Sequence, residues 1–255
     1  MKFHYRLIIQ YKGTRYLGWQ IQPESSGLTV QGELNKALEV VSKHPAQTMG
    51  SGRTDAGVHA LGQVAKASIN LEINPENLVK ALNVNLPEDI RVIHAETSDY
   101  DFFPTVHAKS KEYHYRFTAK RAFTAFQNDL IVNHPFDLDL NLMREACKIL
   151  LGEHDFINFY CEGTDVSSTV RTIFNCEIIE VSQGDWEMLP PHYIFKIEGN
   201  GFLKQMVRLL VGAVWNVGRG KISLEAFKTS LTSVRTQRLG PVAPPHGLYL
   251  VRVNY

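Results

Sequence analysis

Apolar positions along the first hundred residues alternate between strand-like and helix-like spacing. Residues 5–11 read as a first strand, followed by the polar loop KGTRYLGWQIQPESSG, which contains Trp19. Leu34, Ala37, Leu38 and Val41 recur at i, i+3, i+4 and i+7, which predicts a helix over 30–42 with Thr29 as its N-cap. A short strand near Gln47 and a strand over 63–69 come next. Asn74 as N-cap and Pro75 at the first helical position open a helix ending near Asn83, and 90–95 reads as another strand.

The second half repeats the style. Residues 111–118 alternate, with Tyr113, Tyr115 and Phe117 on one face. Leu140, Met143, Cys147 and Leu150 line one side of a helix expected over 140–151, with Asp139 to cap its start and Gly152 its end. Residues 171–181 and 193–198 read as strands joined by a turn at Gln183-Gly184. Residues 202–217 form a largely apolar helix, Ser223 caps a short one reaching about Leu231, and 247–255 closes as a strand. This mixture predicts an α+β fold with antiparallel sheets rather than a doubly wound one. The break at Phe102-Phe103-Pro104 divides the chain into halves, 1–104 and 105–255.

Composition narrows the classes. With 255 residues and 44% hydrophobic positions, the chain can bury a sizeable core. A net charge of +1 gives no bulk attraction for nucleic acid, so any anionic partner must meet a local patch. Gly199 to Ser223 is such a stretch, with Lys204, Arg208, Arg219, Lys221 and no acid. Cys147, Cys161 and Cys176 form no CxxC pair and are odd in number, which predicts reduced thiols in a cytoplasmic protein, with neither a zinc site nor a disulfide framework. The N-terminal apolar run is too short for a signal segment, and no stretch reaches the roughly 18 apolar residues of a membrane span.

The chemistry concentrates in SGRTDAGVHA, residues 51–60. Gly52 and Gly57 allow unusual backbone angles and close approach of a ligand around Asp55. An aspartate in this setting forms turns by bonding its own backbone, or serves as nucleophile or general base. A metal site would need further acids or cysteines nearby, and a lone His59 reads as a hydrogen-bonded structural residue. A glycosidase would need a paired carboxylate, and no second acid has a comparable setting. The functional reading is an aspartate acting alone, helped by a cation.

GSGRTDAGVHALGQV resembles the signature loop of the tRNA pseudouridine synthase A family. YKGTRYLGWQIQ, TVQGELNKAL, ALNVNLPEDI, LLGEHDFINF, GFLKQMVRLLVG and GLYLVRVNY resemble further family blocks in the same order, over almost the whole chain. The resemblance implies two α/β subdomains with mixed, mainly antiparallel sheets meeting at a central catalytic cleft, in a homodimer. It implies isomerisation of uridine to pseudouridine at positions 38, 39 and 40 of the tRNA anticodon arm. No cofactor, metal, DNA or membrane is implied. By the family's pattern Asp55 is catalytic, and Arg53 holds the flipped nucleotide or fills the space it leaves. Tyr113, in KEYHY, matches the active-site tyrosine, and Arg208, in FLKQMVRLLVG, matches the arginine that pairs with the aspartate. Without the resemblance, Tyr113 is part of a strand's apolar face. Arg208, with Lys204, Gln205 and Gly212 beside it on a helical wheel, belongs to a solvated polar face.

One departure stands out. Phe102-Phe103-Pro104-Thr105 occupies the place of the family's Phe-His-Ala-Arg, so Phe103 replaces a histidine and Thr105 replaces an arginine that in the family lies on the tRNA side. Two other readings remain: a non-catalytic tRNA-binding module, and a nucleoside hydrolase requiring a second essential acid.

Overall fold

The computed structural model describes every residue except 1, 23–26, 120–126, 162–165, 183–190, 233 and 236. Its elements, in chain order, are β1 (Phe3–Tyr11), α1 (Val30–Ser42), β2 (Gln47–Gly50), β3 (His59–Ile69), α2 (Pro75–Asn85), β4 (Ile90–Thr97), β5 (Ser110–Ala119), β6 (Val132–His134), α3 (Leu140–Ile149), β7 (Gly152–Asp155), β8 (Val170–Val181), β9 (His192–Gly199), α4 (Met206–Gly218), α5 (Leu224–Thr229) and β10 (Leu248–Asn254). The fold is α+β. Two compact units contain these elements: Met1–Lys109 with Tyr249–Tyr255, and Ser110–Leu248.

In the first unit β1 pairs antiparallel with β4 on one side and with β3 on the other. The outer edge of β3 takes two partners. β2 runs antiparallel along its end, Gln47 opposite Ser68, and β10 runs parallel along its start, Tyr249 opposite His59. β3 therefore begins at His59, four residues before its apolar run, because a partner from the far end of the chain supplies the pairing. Tyr5, Leu7, Ile9 and Tyr11 bury one face of β1. Leu34, Leu38, Leu78 and Leu82 of α1 and α2 are fully buried, each contributing roughly 1.5–3 kcal/mol. Both caps form as expected: Gly32 N–H donates to Thr29 Oγ1 at 3.2 Å, and Glu76 N–H to Asn74 Oδ1 at 2.9 Å.

In the second unit β5 pairs with β6 in parallel and with β9 antiparallel, and β9, β8 and β7 continue antiparallel. Tyr113, Tyr115, Phe117, Phe195, Ile197, Cys176 and Ile178 are buried along this sheet. Trp215 of α4 meets Tyr115 and Phe117 edge-on, each at 5.6 Å. Every residue of α4 except Arg208 and Asn216 is buried. The helix starts at Met206 and not at 202, because Gln205 is left-handed (φ +61°) and Lys204 O accepts from Cys161 N–H at 3.2 Å, which commits the segment to a turn. Asp139 caps α3 by accepting from Asn141 and Leu142 N–H. The expected turn at Gln183-Gly184 lies outside the described residues. All three cysteines are free thiols. No helix among the described residues is long and apolar enough to cross a membrane.

Candidate functional site

The SGRTDAGVHA loop joins β2 to β3 in the first unit, and its side chains sort by burial. Arg53 is exposed, Thr54 is buried and Asp55 is half-buried. Thr54 is the anchor. Its Oγ1 bonds the Tyr11 hydroxyl at 2.8 Å, and its carbonyl accepts from Trp19 N–H at 3.2 Å. Burial pushes the Tyr11 hydroxyl far above the ordinary tyrosine range despite its bonds to Thr54 and Gln63, so the ring stays a neutral anchor. Behind Arg53, Ser51 Oγ donates to Gln63 Oε1 at 2.7 Å and Gln63 Nε2 donates to Gly52 O at 2.9 Å.

The far side of the loop rests on residues 13–19. Gly57 N–H donates to Tyr16 O at 3.2 Å, and Val58 N–H closes the turn onto Asp55 O at 3.1 Å. Gly18 is left-handed (φ +94°), and a Cβ built there would stand 2.3 Å from Thr54 O, so only glycine lets the two chain segments touch. Tyr16 hydroxyl and Arg15 Nε both donate to Asp89, at 2.5 and 2.7 Å, which ties this support to the residue just before β4. Buried His59 accepts from Gly13 N–H at 2.9 Å and stacks on Tyr249 at 4.7 Å, a structural role as expected. Arg53 makes no ion pair among the described residues, so a salt bridge does not explain it.

The two departures lie in the same unit. Thr105 Oγ1 donates to Gly50 O at 3.0 Å, at the end of β2. Phe103, partly exposed, receives the Lys66 ammonium at 5.5 Å, and the same ammonium lies 5.3 Å from the Tyr100 ring.

In the second unit Tyr113 is buried on β5 with Phe202 edge-on at 5.1 Å. Its strand-face packing is real, and it leaves Tyr113 next to the segment leading into α4. Arg208 is half-buried: its Nε donates to Ala243 O at 2.7 Å, and Ala243 N–H donates back to Arg208 O at 3.2 Å. Gly212, one turn on, lies so close to Pro241 that a Cβ would stand 1.9 Å from its carbonyl oxygen. The reading of a solvated polar face is therefore corrected. Lys204 is exposed, while Arg208 and Gly212 are covered by residues 240–243. Burial lowers the His246 pKa, with Asp129 opposing and the Arg208 charge adding to the drop. The structure thus brings Arg53 and Asp55 onto one loop of the first unit and places Tyr113 and Arg208 in the second. Sequence reasoning missed the anchors Tyr11, Tyr16, Gly18, Gln63 and Asp89. Tyr11, Tyr16 and Gly18 lie in YKGTRYLGWQIQ, a block marked by its resemblance to the family and not by any period of its own.

Among the described residues no group of three or more His, Cys, Asp or Glu side chains could hold a metal ion. Chemically, the first unit offers a carboxylate on a fixed loop beside an exposed guanidinium, and the second offers a tyrosine ring and a guanidinium oriented by backbone.

The family model for tRNA pseudouridine synthase matches residues 7–103 and 146–255. A tRNA pseudouridine synthase A of Exiguobacterium sp. is 42% identical over 251 residues, covering 98% of this chain and 97% of the relative. The protein of that name from a Geobacillus sp. is 39% identical over 97% of this chain and 96% of its own, and that of Listeria innocua 38% over 98% of each. Among solved structures, a Cbf5–Nop10–Gar1 complex overlays with a TM-score of 0.37 and 13% identity, over 96% of this chain and 48% of that chain, too slight a likeness to carry an argument.

Proposed function

The chain belongs to the tRNA pseudouridine synthase family, and from that premise we propose that Asp55 is the catalytic residue with which it acts at positions 38, 39 and 40 of the tRNA anticodon arm. The enzyme is an isomerase that makes pseudouridine in tRNA. The bond from N1 of uracil to C1′ of ribose breaks, and one from C5 to C1′ forms. The C5 hydrogen leaves as a proton and N1 gains one, so product and substrate have the same formula.

One observation carries the assignment. Thr54 is locked by Tyr11 and Trp19 while its neighbour Asp55 stays partly open. A carboxylate held on rigid support and reachable by a ligand is preorganised for attack or proton transfer. A uridine in or beside a stem must leave the stack before its glycosidic bond can be reached. Arg53, exposed two residues from Asp55, would hold the flipped nucleotide or fill its place, since a guanidinium stacks on bases and pairs with phosphate. Tyr113 would stack on the uracil, worth about 1–3 kcal/mol, and Arg208 would support the aspartate. In this reading the N-terminal part of the chain supplies the aspartate loop and the C-terminal part the tyrosine and the helix arginine. The enzyme works in the cytoplasm as a homodimer.

The test uses unmodified tRNA transcripts with uridines at 38, 39 and 40. Carbodiimide labelling and reverse transcription should give stops at these positions with the wild-type protein and none with Asp55→Ala. Stops elsewhere in the tRNA would remove the anticodon-arm assignment. Stops that survive Asp55→Ala would remove the catalytic one. Phe103→His and Thr105→Arg variants, run beside these, report whether the two departures narrow the target set.

A further inference from the structure

Lys66 on β3 and Arg6 on β1 stand directly opposite each other in the first unit and so project from one face of its sheet. Residues 100–103 and Tyr255 lie over that face. The Arg6 guanidinium is 5.9 Å from the Phe102 ring and 5.6 Å from the Tyr255 ring, and it pairs with Glu96 at 2.5 Å. Lys66 has no such carboxylate among the described residues. It is only 7% exposed, and its ammonium is met by the Tyr100 carbonyl and by the Tyr100 and Phe103 rings, 5.3 and 5.5 Å away. A buried cation needs such partners, so Lys66 holds the carbonyl and both rings above β3. Both rings nevertheless reach solvent: Tyr100 is 79% exposed and Phe103 42%. The backbone at Phe103 is fixed as well. Its carbonyl accepts from Val106 and His107 N–H, both at 3.0 Å, and its own N–H donates to His107 Nδ1 at 3.4 Å. An aromatic ring held in this way is ordered before anything binds it, which removes an entropic cost of binding.

Phe103 is also tied to the Asp55 loop. Thr105, two residues on, donates to Gly50 O at 3.0 Å. Buried Pro104 accepts from the Tyr255 hydroxyl at 3.0 Å, and Ser51 meets the same hydroxyl. Exposed Arg53 follows Gly50 by three residues, at most about 11 Å of chain. A ligand that reaches both Arg53 and Phe103 is extended, and the family to which the chain belongs acts on tRNA. The charges nearby decide which part of a tRNA suits this surface. Asp99 and Asp101 are exposed on either side of Tyr100, and they repel a phosphate. Stacking of a base on an aromatic ring needs no charge. Paired bases already have both faces covered within their helix, so the base that suits an exposed ring is an unpaired one.

We propose that Phe103 is a stacking platform for one unpaired base of the tRNA, near the uridine on which the Asp55 loop acts, with Tyr100 as its side wall. The proposal rests on the reading of that loop as the active site.

The test is a binding titration of the full-length protein with unmodified tRNA transcripts at several salt concentrations. Phe103→Ala should weaken binding about 5- to 140-fold, the worth of one stacked base. Phe103→Leu keeps an apolar side chain without a ring and should lose about as much. Phe103→Trp should bind at least as tightly as the wild type, which separates stacking from folding. The slope of log affinity against log salt should stay at the wild-type value in all three, because no phosphate contact is lost. Transcripts carrying a single abasic nucleotide keep every phosphate. Placed at each unpaired position in turn, the abasic nucleotide should weaken wild-type binding at one position and leave Phe103→Ala indifferent there. Wild-type affinity in Phe103→Leu would overturn the proposal, as would a flattened salt slope in Phe103→Ala. So would abasic losses in Phe103→Ala that match those of the wild type at every position. Sedimentation of the same proteins tests the other occupant: a Phe103→Ala chain that binds weakly because its copies separate would make this face a contact between copies and overturn the proposal. Binding is read without turnover, so it separates the two claims. A wild-type protein that showed the abasic effect and made no pseudouridine would sink the proposed function and leave the platform standing.

Discussion

Gly18→Ala tests whether the support beneath Asp55 sets the rate. Gly18 has φ +94°, and the new methyl would stand 2.3 Å from Thr54 O, 3.0 Å from the Asp55 carbonyl carbon and 3.2 Å from Ala56 N. All three neighbours are backbone, so no side chain can rotate away. The Thr54 carbonyl must retreat by about 1 Å to reach ordinary contact, and it is the acceptor for Trp19 N–H. Left-handed strain costs about 1–3 kcal/mol, and the weakened hydrogen bond about 0.5–1.5 kcal/mol more. With Asp55 in its proposed catalytic role, a displacement of this size costs about 100-fold in rate. Gly152→Ala is the matched control: it has the same φ of +94° and nothing within 4 Å of the new methyl. It should lose about 1–3 kcal/mol of stability and keep the wild-type rate. Urea unfolding gives the stabilities, and the time course of pseudouridine formation on tRNA gives kcat/KM. A Gly18→Ala enzyme with wild-type kcat/KM would refute the reasoning, as would equal activity losses in the two variants.

Other expectations follow from single contacts. His59→Leu leaves the Gly13 N–H without its acceptor and should cost about 1–3 kcal/mol by chemical denaturation; no loss would mean that water replaces the imidazole. Gly212→Ala drives a methyl into the Pro241 carbonyl and should cost about 1–3 kcal/mol. It should also slow turnover, because the displaced segment carries the Ala243 carbonyl that orients Arg208. Burial works to raise the Asp89 pKa, but hydrogen bonds from Arg15 and Tyr16 outweigh it and hold the carboxyl below the ordinary range. Its contribution to stability is therefore fully present above the unfolded carboxylate pKa of about 4 and is lost as pH falls through the folded value. Thermal melts of Asp89→Asn should lack that part of the acid limb, and an acid limb like the wild type's would count against it.

What was legible in the chain depended on whether its determinants were local. The bounds of α1 match the expectation because an apolar stripe and the Thr29 cap coincide, and both are read within one helix. β3 starts earlier than its apolar run because Tyr249 and Leu250 pair with His59 and Ala60, and nothing near residue 59 announces a partner almost two hundred residues away. β6 and β7 are three and four residues long, too short to display a period. The first turn expected of α4 reads as helical, yet the Cys161 contact to Lys204 O holds it open. At the site, a carboxylate between glycines marked the loop, and the roles expected of Asp55 and Arg53 came from the resemblance of the block around them. Their support was not, because Tyr11, Tyr16 and Gly18 reach the loop only once β1 has paired with β3. The wheel put Arg208 on a polar face correctly, but only the fold shows that residues 240–243 cover it.

The most direct measurement follows the hydrogen that the isomerisation must expel. tRNA transcribed with tritium at C5 of uridine releases tritium to water when the C5–C1′ bond forms. The account predicts release by the wild-type protein and none above background by Asp55→Asn, with the two proteins binding the tRNA to a similar extent. Release by Asp55→Asn at the wild-type rate would show that the carboxylate held by Thr54 is not the catalytic group and would contradict the account at its centre.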